Sequence, residues 1–291
     1  MDKKKKEIKI AQAKLLTEAL PYIRKFKGQT IVIKYGGSIM LDETLKNIFA
    51  SDISLLKLVG INPIVVHGGG KEINKWMEKI GKTPKFIDGM RYTDEETMEI
   101  TEMVLSGKLN KELVSLINDK GGNAVGISGK DSNLFTATKI KSKNGEDLGK
   151  VGEIRDCNTK LIDSLVSNNY IPVVTCIAES LEGETLNINA DHAASTLGSA
   201  LKALKLLYLT DVDGLKIDKE LKQNLNVLEA EALLEHSDVK GGMLPKLKYS
   251  IEAIKNGVDH VQMINGTVEH AVLLELFTDT GIGTKISYNK R

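Results

Sequence analysis

The chain has 291 residues, enough for one large α/β domain or two lobes, and its 40 basic and 39 acidic side chains leave a net charge of +1. Together with an aromatic content of 4%, this balance argues against a nucleic-acid partner, because phosphate backbones attract basic surfaces and bases stack on aromatic rings. The basic start leads into no apolar signal core, and no apolar stretch approaches the ~20 residues of a membrane span. We therefore expect a soluble cytoplasmic protein without a membrane partner.

The first predicted element is a helix from Ala11 to Phe26, because its apolar residues recur at helical spacing. Pro21 lies inside it and is expected to kink or split it, since proline lacks the backbone donor and its ring clashes with the preceding turn. The pattern alone leaves two interpretations open. The helix either packs on its own domain or forms an arm that packs on another subunit.

Six apolar runs predict buried parallel strands, and amphipathic stretches separate them. They lie within residues 31–38, 63–71, 124–130, 170–175, 206–211 and 258–266. This alternation indicates an α/β fold with a mainly parallel sheet. Residues 139–155 indicate a β-hairpin or an exposed loop. A division near residue 180 is expected, because the ligand motifs differ in character on its two sides.

Two of these strands end in glycines, at Lys34-Tyr35-Gly36-Gly37 and at His67-Gly68-Gly69-Gly70. Glycines at such a turn let the backbone approach a ligand and direct N–H groups at an anion. A lysine in a buried strand is costly unless it points to the ligand end of the strand. A structural salt bridge is the alternative for Lys34, and a plain tight turn is the alternative for the second glycine run. Two such turns together indicate a site for carboxylate or phosphate.

Two later clusters carry polar groups, Asn187-Ile188-Asn189-Ala190-Asp191 and Gly241-Gly242-Met243-Leu244-Pro245-Lys246. Asn187 and Asn189 alternate onto one face of an extended segment with Asp191 just beyond, so three polar groups can converge. The alternatives are a helix N-cap for Asn189 or Asp191 and a solvated helix lysine for Lys246.

Motifs of several enzyme classes are absent from the sequence, which contains no P-loop, no GxGxxG after a strand, no GxSxG and no protein-kinase signature. The two cysteines, Cys157 and Cys176, form no CxxC and indicate neither a zinc site nor a disulfide framework. No residue of the chain is singled out as a metal ligand.

Taken together, these segments resemble the amino-acid kinase superfamily, and within it the acetylglutamate kinase family. The resemblance covers nearly the whole chain, through motifs at residues 32–37, 62–70, 88–94, 126–131, 187–191, 209–212 and 241–246. Arg91, in the setting Gly-Met-Arg-x-Thr-Asp, and a long helix start at residues 107–111 resemble acetylglutamate kinases in particular.

The resemblance implies an open αβα sandwich around a mainly parallel sheet, with two lobes and an N-terminal helix. Residues 1–28 would form a helical arm. Residues 29–179 would form an N-lobe that binds the acyl amino acid and dimerises. Residues 180–291 would form a C-lobe that binds the nucleotide and carries an arginine site.

The implied reaction is transfer of the γ-phosphoryl group of ATP to the side-chain carboxylate of N-acetyl-L-glutamate, in arginine biosynthesis. Mg²⁺ would bridge phosphate oxygens, with few or no protein ligands. No general base is needed, because the carboxylate is already ionised near neutral pH. Two alternatives stay open: a kinase of another acid, such as aspartate, glutamate or aminoadipate, and a metabolite sensor without turnover.

The family motifs assign roles to residues of this chain. Lys34 and Lys246 would stabilise the transition state, and Asp191 would orient both lysines. Substrate-binding residues would be Gly69, Gly70, Arg91, Asn187 and Asn189. Nucleotide-binding residues would be Gly36, Gly37, Thr210, Asp211, Val212, Asp213, Gly214, Leu215, Gly241 and Gly242.

The predicted arm and the C-terminal segment resemble arginine-inhibited members of the family. In those relatives the arms interlace three dimers, so we expect a hexamer that falls to a dimer when residues before Gly28 are removed. The candidate arginine ligands are Gln262, Glu275, Gly281 and Gly283. Such relatives usually carry His at position 262 and Asp at position 265, where this chain has Gln and Asn. We therefore expect an arginine site with weakened or altered sensitivity.

Overall fold

The computed structural model describes residues 17–278 and 281–289. Helix α1 is described over residues 17–26. The other helices are α2 Glu43–Leu58, α3 Gly70–Lys79, α4 Glu95–Glu102, α5 Asn110–Asp119, α6 Lys160–Ser167, α7 Ala190–Ala200, α8 Val227–Ala232, α9 Met243–Lys255 and α10 Ala271–Phe277. Short 3₁₀ turns span Gly37–Leu41 and Asp131–Asn133, and a π-helical segment, Met103–Leu109, joins α4 to α5.

The strands are β1 Thr30–Tyr35, β2 Asn62–His67, β3 Phe86–Ile87, β4 Met90–Arg91, β5 Ala124–Ser128, β6 Phe135–Lys141, β7 Asp147–Cys157, β8 Ile171–Thr175, β9 Ile177–Glu179, β10 Thr185–Ile188, β11 Lys205–Thr210, β12 Lys216–Ile217, β13 Glu220–Leu221, β14 Asn224–Asn226, β15 His260–Asn265 and β16 Thr284–Ser287.

An eight-stranded sheet forms the centre, in the order β14–β16–β15–β11–β1–β2–β8–β5. Six adjacent strands of this sheet run parallel to one another: β15, β11, β1, β2, β8 and β5. Strands β16 and β14, at the β15 edge, run in the opposite direction to these six. These six parallel strands are the six that the sequence predicted, so the predicted fold class is confirmed. The sheet is continuous across residue 180, because β1 pairs directly with β11. The division into two lobes stays a prediction.

Helices cover both faces of this sheet, and β1 shows how side-chain alternation directs each residue to one face. Ile31, Ile33 and Tyr35 belong to the buried cluster under α2, α5 and α10. Val32 belongs to the cluster under α6, α7 and α9. Because Lys34 follows two residues later, its side chain lies on the same face as Val32, toward α7.

A second, smaller sheet closes on itself in the order β10–β7–β6–β9. Strands β6 and β7 form an antiparallel hairpin, which confirms the hairpin predicted for residues 139–155. Strands β9 and β10 were not predicted, since they have only three and four residues and a mixed polarity. Strand β10 carries Asn187 into the site described below.

Two local expectations differ in part from the structure. Pro21 does not split α1, because residues 17–26 form one continuous helix. Residues 107–111 do not begin a helix: they continue the helix that α4 starts after Asp94, whose carboxylate accepts the Thr97 N–H at 2.9 Å as its N-cap. The predicted helix from Ala11 falls partly outside the described residues. No helix among the residues described is long and apolar enough to cross a membrane.

Candidate active site

Two lysines meet one carboxylate at the carboxyl end of β1. Lys246 Nζ donates a hydrogen bond to Asp191 Oδ2 at 2.6 Å, and Lys34 Nζ lies 3.0 Å from Asp191 Oδ1 as an ion pair without hydrogen-bond geometry. All three side chains are largely buried, with 11% of Lys34, 8% of Asp191 and 16% of Lys246 exposed. The structure therefore brings together the three residues predicted to be catalytic.

Local structure holds Asp191 in this position. It lies in the first turn of α7, whose N-cap is Asn189, and the Asn189 side-chain carbonyl accepts the N–H groups of Asp191 and His192 at 2.8 and 3.2 Å. Tyr208, which is fully buried on β11, donates its hydroxyl to the Asp191 carbonyl at 3.0 Å. The helix-cap interpretation of Asn189 is thus correct for its side-chain oxygen, and Asn189 also lines the cavity described below.

The electrostatic balance keeps this carboxylate charged. Burial alone would raise the pKa of Asp191, but the positive charges of Lys34 and Lys246 outweigh it, so the pKa is lowered. Burial lowers the pKa of Lys246, and the Asp191 charge opposes that shift only in part. A net positive charge therefore remains at the pair of lysines, where an anion would be stabilised.

The five predicted substrate residues line one cavity of about 230 Å³ between α3, β10 and the start of α7. They are Gly69, Gly70, Arg91, Asn187 and Asn189. Apolar side chains of the wall include Phe86, Leu105 and Val151. The cavity thus combines an apolar lining with a few convergent polar groups, as small-molecule sites do.

Arg91 is the cationic end of this cavity. It is 8% exposed, and its guanidinium donates to the Gly70 carbonyl at 3.0 Å and lies 4.9 Å from the centre of the Phe86 ring. Among the described residues no carboxylate lies within salt-bridge distance of it. A buried guanidinium without an acidic partner is unfavourable unless a ligand supplies the negative charge. Arg91 is therefore placed to receive a carboxylate.

The first glycine turn is fixed by close contacts. A Cβ at Gly36 would lie 2.9 Å from Lys34 Nζ, and a Cβ at Gly37, where φ is +79°, would collide with the Asp211 carboxylate. Asp211 Oδ1 accepts the Ser38 N–H at 3.0 Å. Asp211, predicted as a nucleotide ligand, therefore also ties the loop after β1 to the end of β11.

The loop after β11 forms a turn of its own. The Thr210 hydroxyl donates to the Val212 carbonyl at 2.6 Å, and the Asp213 carboxylate accepts from Lys216 at 2.7 Å and from Asn265 at 3.0 Å. Val212 and Asp213 are exposed. These residues lie beyond the carboxyl ends of β11 and β15, which is where ligands bind to open α/β sheets.

Three other nucleotide candidates differ in accessibility. Gly241 and Gly242 are exposed and lead into α9, whose first turn precedes Lys246. Leu215 is 1% exposed, its N–H donates to the Thr284 hydroxyl at 2.8 Å and its carbonyl accepts the Lys222 N–H at 2.9 Å. Because its backbone groups are engaged and its side chain is in the core, the structure does not bring Leu215 to the surface of the site.

The candidate arginine residues lie together at the opposite end of β11, around a cavity of about 700 Å³. Glu275 accepts from Lys205 Nζ at 2.7 Å, from Gln262 Nε2 at 2.7 Å and from the Ile282 N–H at 3.0 Å. Among the described residues, Gln262 Oε1 is buried without a hydrogen-bond partner. Gly281 and Gly283 line the same cavity. Lys205 was not predicted, although a lysine in a buried strand is the signal that singled out Lys34.

Residues 29–265 match the Amino acid kinase family. An acetylglutamate kinase from Methanocaldococcus jannaschii is 50% identical over 290 residues, which cover 96% of this chain and 97% of that protein. An acetylglutamate kinase from Syntrophobacter fumaroxidans is 49% identical over 292 residues, which cover 97% of this chain and 98% of that protein. The chain belongs to the acetylglutamate kinase group of the amino acid kinase family.

Solved structures agree with this membership of the amino acid kinase family. N-acetylglutamate synthase from Neisseria gonorrhoeae, complexed with coenzyme A and N-acetyl-glutamate, superimposes with a TM-score of 0.86 at 29% identity over 96% of this chain and 64% of that one. The synthase complexed with coenzyme A and L-arginine superimposes with a TM-score of 0.82 at 28% identity, over 95% of this chain and 65% of that one. This chain thus spans less than two thirds of the synthase.

Proposed function

We propose that this acetylglutamate kinase transfers the γ-phosphoryl group of ATP to the side-chain carboxylate of N-acetyl-L-glutamate, as a step of arginine biosynthesis. The observation that carries the proposal is the pair of buried lysines on Asp191 beside a cavity that contains the guanidinium of Arg91, which has no acidic partner among the described residues. The curated relatives support the same activity, since they match nearly the whole chain at about half identity.

The chemistry requires charge stabilisation rather than proton transfer. A carboxylate oxygen of the acid bonds to the γ-phosphorus while the bond from that phosphorus to the β–γ bridging oxygen breaks, and ADP leaves with the electron pair. Because the acid is ionised near neutral pH, no base has to remove a proton. Lys34 and Lys246 neutralise the charge on the phosphoryl oxygens in the transition state, and Asp191 holds both ammonium groups in place beforehand.

The remaining residues position the acid. The Arg91 fork fits the α-carboxylate, because a guanidinium can bind both carboxylate oxygens at once. Asn187 and Asn189 are assigned to the acetamido group and the carboxylate. Asn187 Nδ2 donates one proton to Thr93 Oγ1 at 3.2 Å and keeps a second proton for the substrate. The N–H groups of Gly69 and Gly70, at the start of α3, add the favourable end of a helix dipole for the reacting anion.

The nucleotide is proposed to lie over two loops, the one that follows β11 and the one that precedes α9. Mg²⁺ would be held by phosphate oxygens of the nucleotide and would neutralise part of their charge. The residues fit such a phosphate-held ion, because both oxygens of Asp191 already face lysines. A described group with metal-ligand spacing, Asp218, His236 and Asp238, contains none of the predicted site residues.

Four further properties stay proposals. L-Arginine is proposed to bind the cavity around Glu275, a hypothesis supported by the position of the candidate residues and by the arginine complex of the related synthase. A homohexamer built from dimers is proposed from the resemblance of the arm. A cytoplasmic location and the two-lobe division are proposed from the sequence.

The test is a product-trapping assay. The enzyme is incubated with ATP, Mg²⁺ and one acid, and hydroxylamine converts any acyl phosphate to a hydroxamate. Product with N-acetyl-L-glutamate, and little with glutamate, aspartate or aminoadipate, is expected. Product only with another acid would identify a different kinase. Binding of acetylglutamate without product would identify a sensor.

A further inference from the structure

His67 is fully buried between the sheet and α5, and it contacts the glycine loop that follows it. Its Nδ1 lies 2.9 Å from the Gly68 carbonyl oxygen, and its Nε2 lies 3.2 Å from Asn110 Nδ2. Burial lowers the pKa of His67 to about 4, so the imidazole is neutral at working pH. A neutral imidazole has one donor and one acceptor nitrogen.

The contacts of Asn110 decide which nitrogen of His67 carries the proton. Asn110 Nδ2 also donates to the Val173 carbonyl at 2.9 Å, and Asn110 Oδ1 accepts from Lys111 Nζ at 3.0 Å. The amide is therefore oriented with its two protons toward Val173 and His67. Nε2 of His67 must accept, so Nδ1 carries the proton and donates to the Gly68 carbonyl.

This hydrogen bond fixes a peptide group of the substrate loop. The carbonyl of Gly68 and the N–H of Gly69 belong to one planar trans peptide and point in opposite directions. Because the carbonyl points at the buried His67, the Gly69 N–H points away from it. No hydrogen-bond partner for that N–H occurs in the described part of the chain. A Cβ at Gly69 would collide with Leu105 and Leu109, so the π-helical segment also limits movement of the Gly69 backbone.

The π-helical segment places Asn110 for this task. The Asn110 N–H donates to the Leu105 carbonyl five residues earlier, so the helix gains one residue before α5 begins. Asn110 is 1% exposed, and its amide occupies the space that a Cβ at Gly126 would fill. Two elements, the π-helical segment and β5, thus leave room for one polar side chain inside the core.

We propose that His67 is a positioning residue that, held in one tautomer by Asn110, orients the Gly68–Gly69 peptide so that the Gly69 N–H stabilises the reacting anion. The inference rests on the proposed function, because it assigns His67 to the same reaction. His67 itself does not touch the substrate and transfers no proton.

A matched pair of variants tests the proposal in the full chain. His67→Asn keeps an amide donor near the position of Nδ1. The leucine side chain of His67→Leu has the same branched shape as asparagine but no donor. Both variants lose the contact with Asn110. We expect kcat to fall at least about tenfold further in His67→Leu than in His67→Asn, with Michaelis constants within about threefold of each other. Equal kcat values in two folded variants would overturn the proposal. An inactive wild type would instead overturn the proposed function.

A second measurement does not depend on whether His67→Leu folds. Nitrogen NMR of the wild type with ¹⁵N-labelled histidine rings reports the tautomer of each of the five histidines, and His67→Asn identifies the resonance. We expect a neutral ring protonated on Nδ1 from about pH 6 to pH 8. A ring protonated on Nε2, or one that titrates within this range, would overturn the proposal.

Discussion

Lys246 Nζ lies 2.6 Å from Asp191 Oδ2, although the two residues are 55 positions apart and belong to two different helices, α9 and α7. The other oxygen of Asp191 faces Lys34 of β1. One carboxylate therefore joins a strand and two helices at the point where phosphoryl transfer is proposed. Any variant that changes this carboxylate should affect both lysines.

Removing either lysine should reduce turnover strongly. Lys34→Ala and Lys246→Ala are each expected to lower kcat by about 10²–10³, the usual loss when a preorganised charge stabiliser is removed. Asp191→Asn should cause similar damage, because both ammonium groups lose their anchor. Steady-state kinetics of acyl phosphate formation measures this. Lys248→Ala, on the same helix with 61% of its side chain exposed, is the control, and near-normal turnover in Lys246→Ala would refute the mechanism.

Arg91→Ala should act mainly on the acid substrate. The Michaelis constant for N-acetylglutamate is expected to rise more than kcat falls, since the guanidinium binds a carboxylate that does not react. Arg91→Lys should recover only part of the affinity, because an ammonium cannot form the two parallel hydrogen bonds. Arg155→Ala, with 59% of the wild-type side chain exposed, serves as control. A loss confined to kcat would place Arg91 at the reacting atoms instead.

The pH profile should show an alkaline limb caused by Lys246. Because burial lowers its pKa, the ammonium loses its proton as pH rises through a value below the ordinary lysine range of ~10.4. Since kcat/KM reports the free enzyme, it should fall there, while kcat should hold to higher pH because bound phosphates favour the charged form. In Lys246→Arg the limb should disappear, as guanidinium stays charged. A wild-type limb that persists in this variant would assign it to another group.

L-Arginine inhibition should be weak and should depend on Glu275. In the structure Glu275 is already bound by Lys205 and Gln262, so a guanidinium has to compete for it. An activity titration should show inhibition in the wild type, its loss in Glu275→Ala and its retention in the exposed control Glu269→Ala. Gln262→His should increase sensitivity. The hypothesis fails if millimolar arginine leaves the wild type uninhibited, and the site is misplaced if Glu275→Ala changes nothing.

The full-length chain should form a hexamer through α1. Phe26 is 2% exposed and packs into the core of its own subunit with Tyr22, so removing every residue before Gly28 would also damage that core. Leu20→Asp is the sharper test, because Leu20 is 45% exposed. Light scattering should report a hexamer for the wild type and a dimer for this variant. Leu228→Asp, at a side chain 76% exposed on α8, should remain hexameric, and a dimeric wild type would contradict the prediction.

The sequence by itself determined the central sheet and most candidates for the site. Its six apolar runs became the six parallel strands, because a strand buried on both faces needs a nearly continuous apolar run. The glycine turns and the lysine inside β1 could also be recognised from the sequence, because buried strands seldom contain glycine or lysine.

Tertiary structure alone decided which of these groups meet. Nothing in the local sequence states that Lys246 reaches Asp191, that Arg91 has no acidic partner among the described residues, or that Asn110 lies 3.2 Å from His67. These relationships join residues distant in the chain, and strand register, one extra residue in a π-helical turn and the packing of α7 and α9 fix their distances. Local propensity is insensitive to such long-range contacts, whereas the energy of a buried charge depends on them almost entirely.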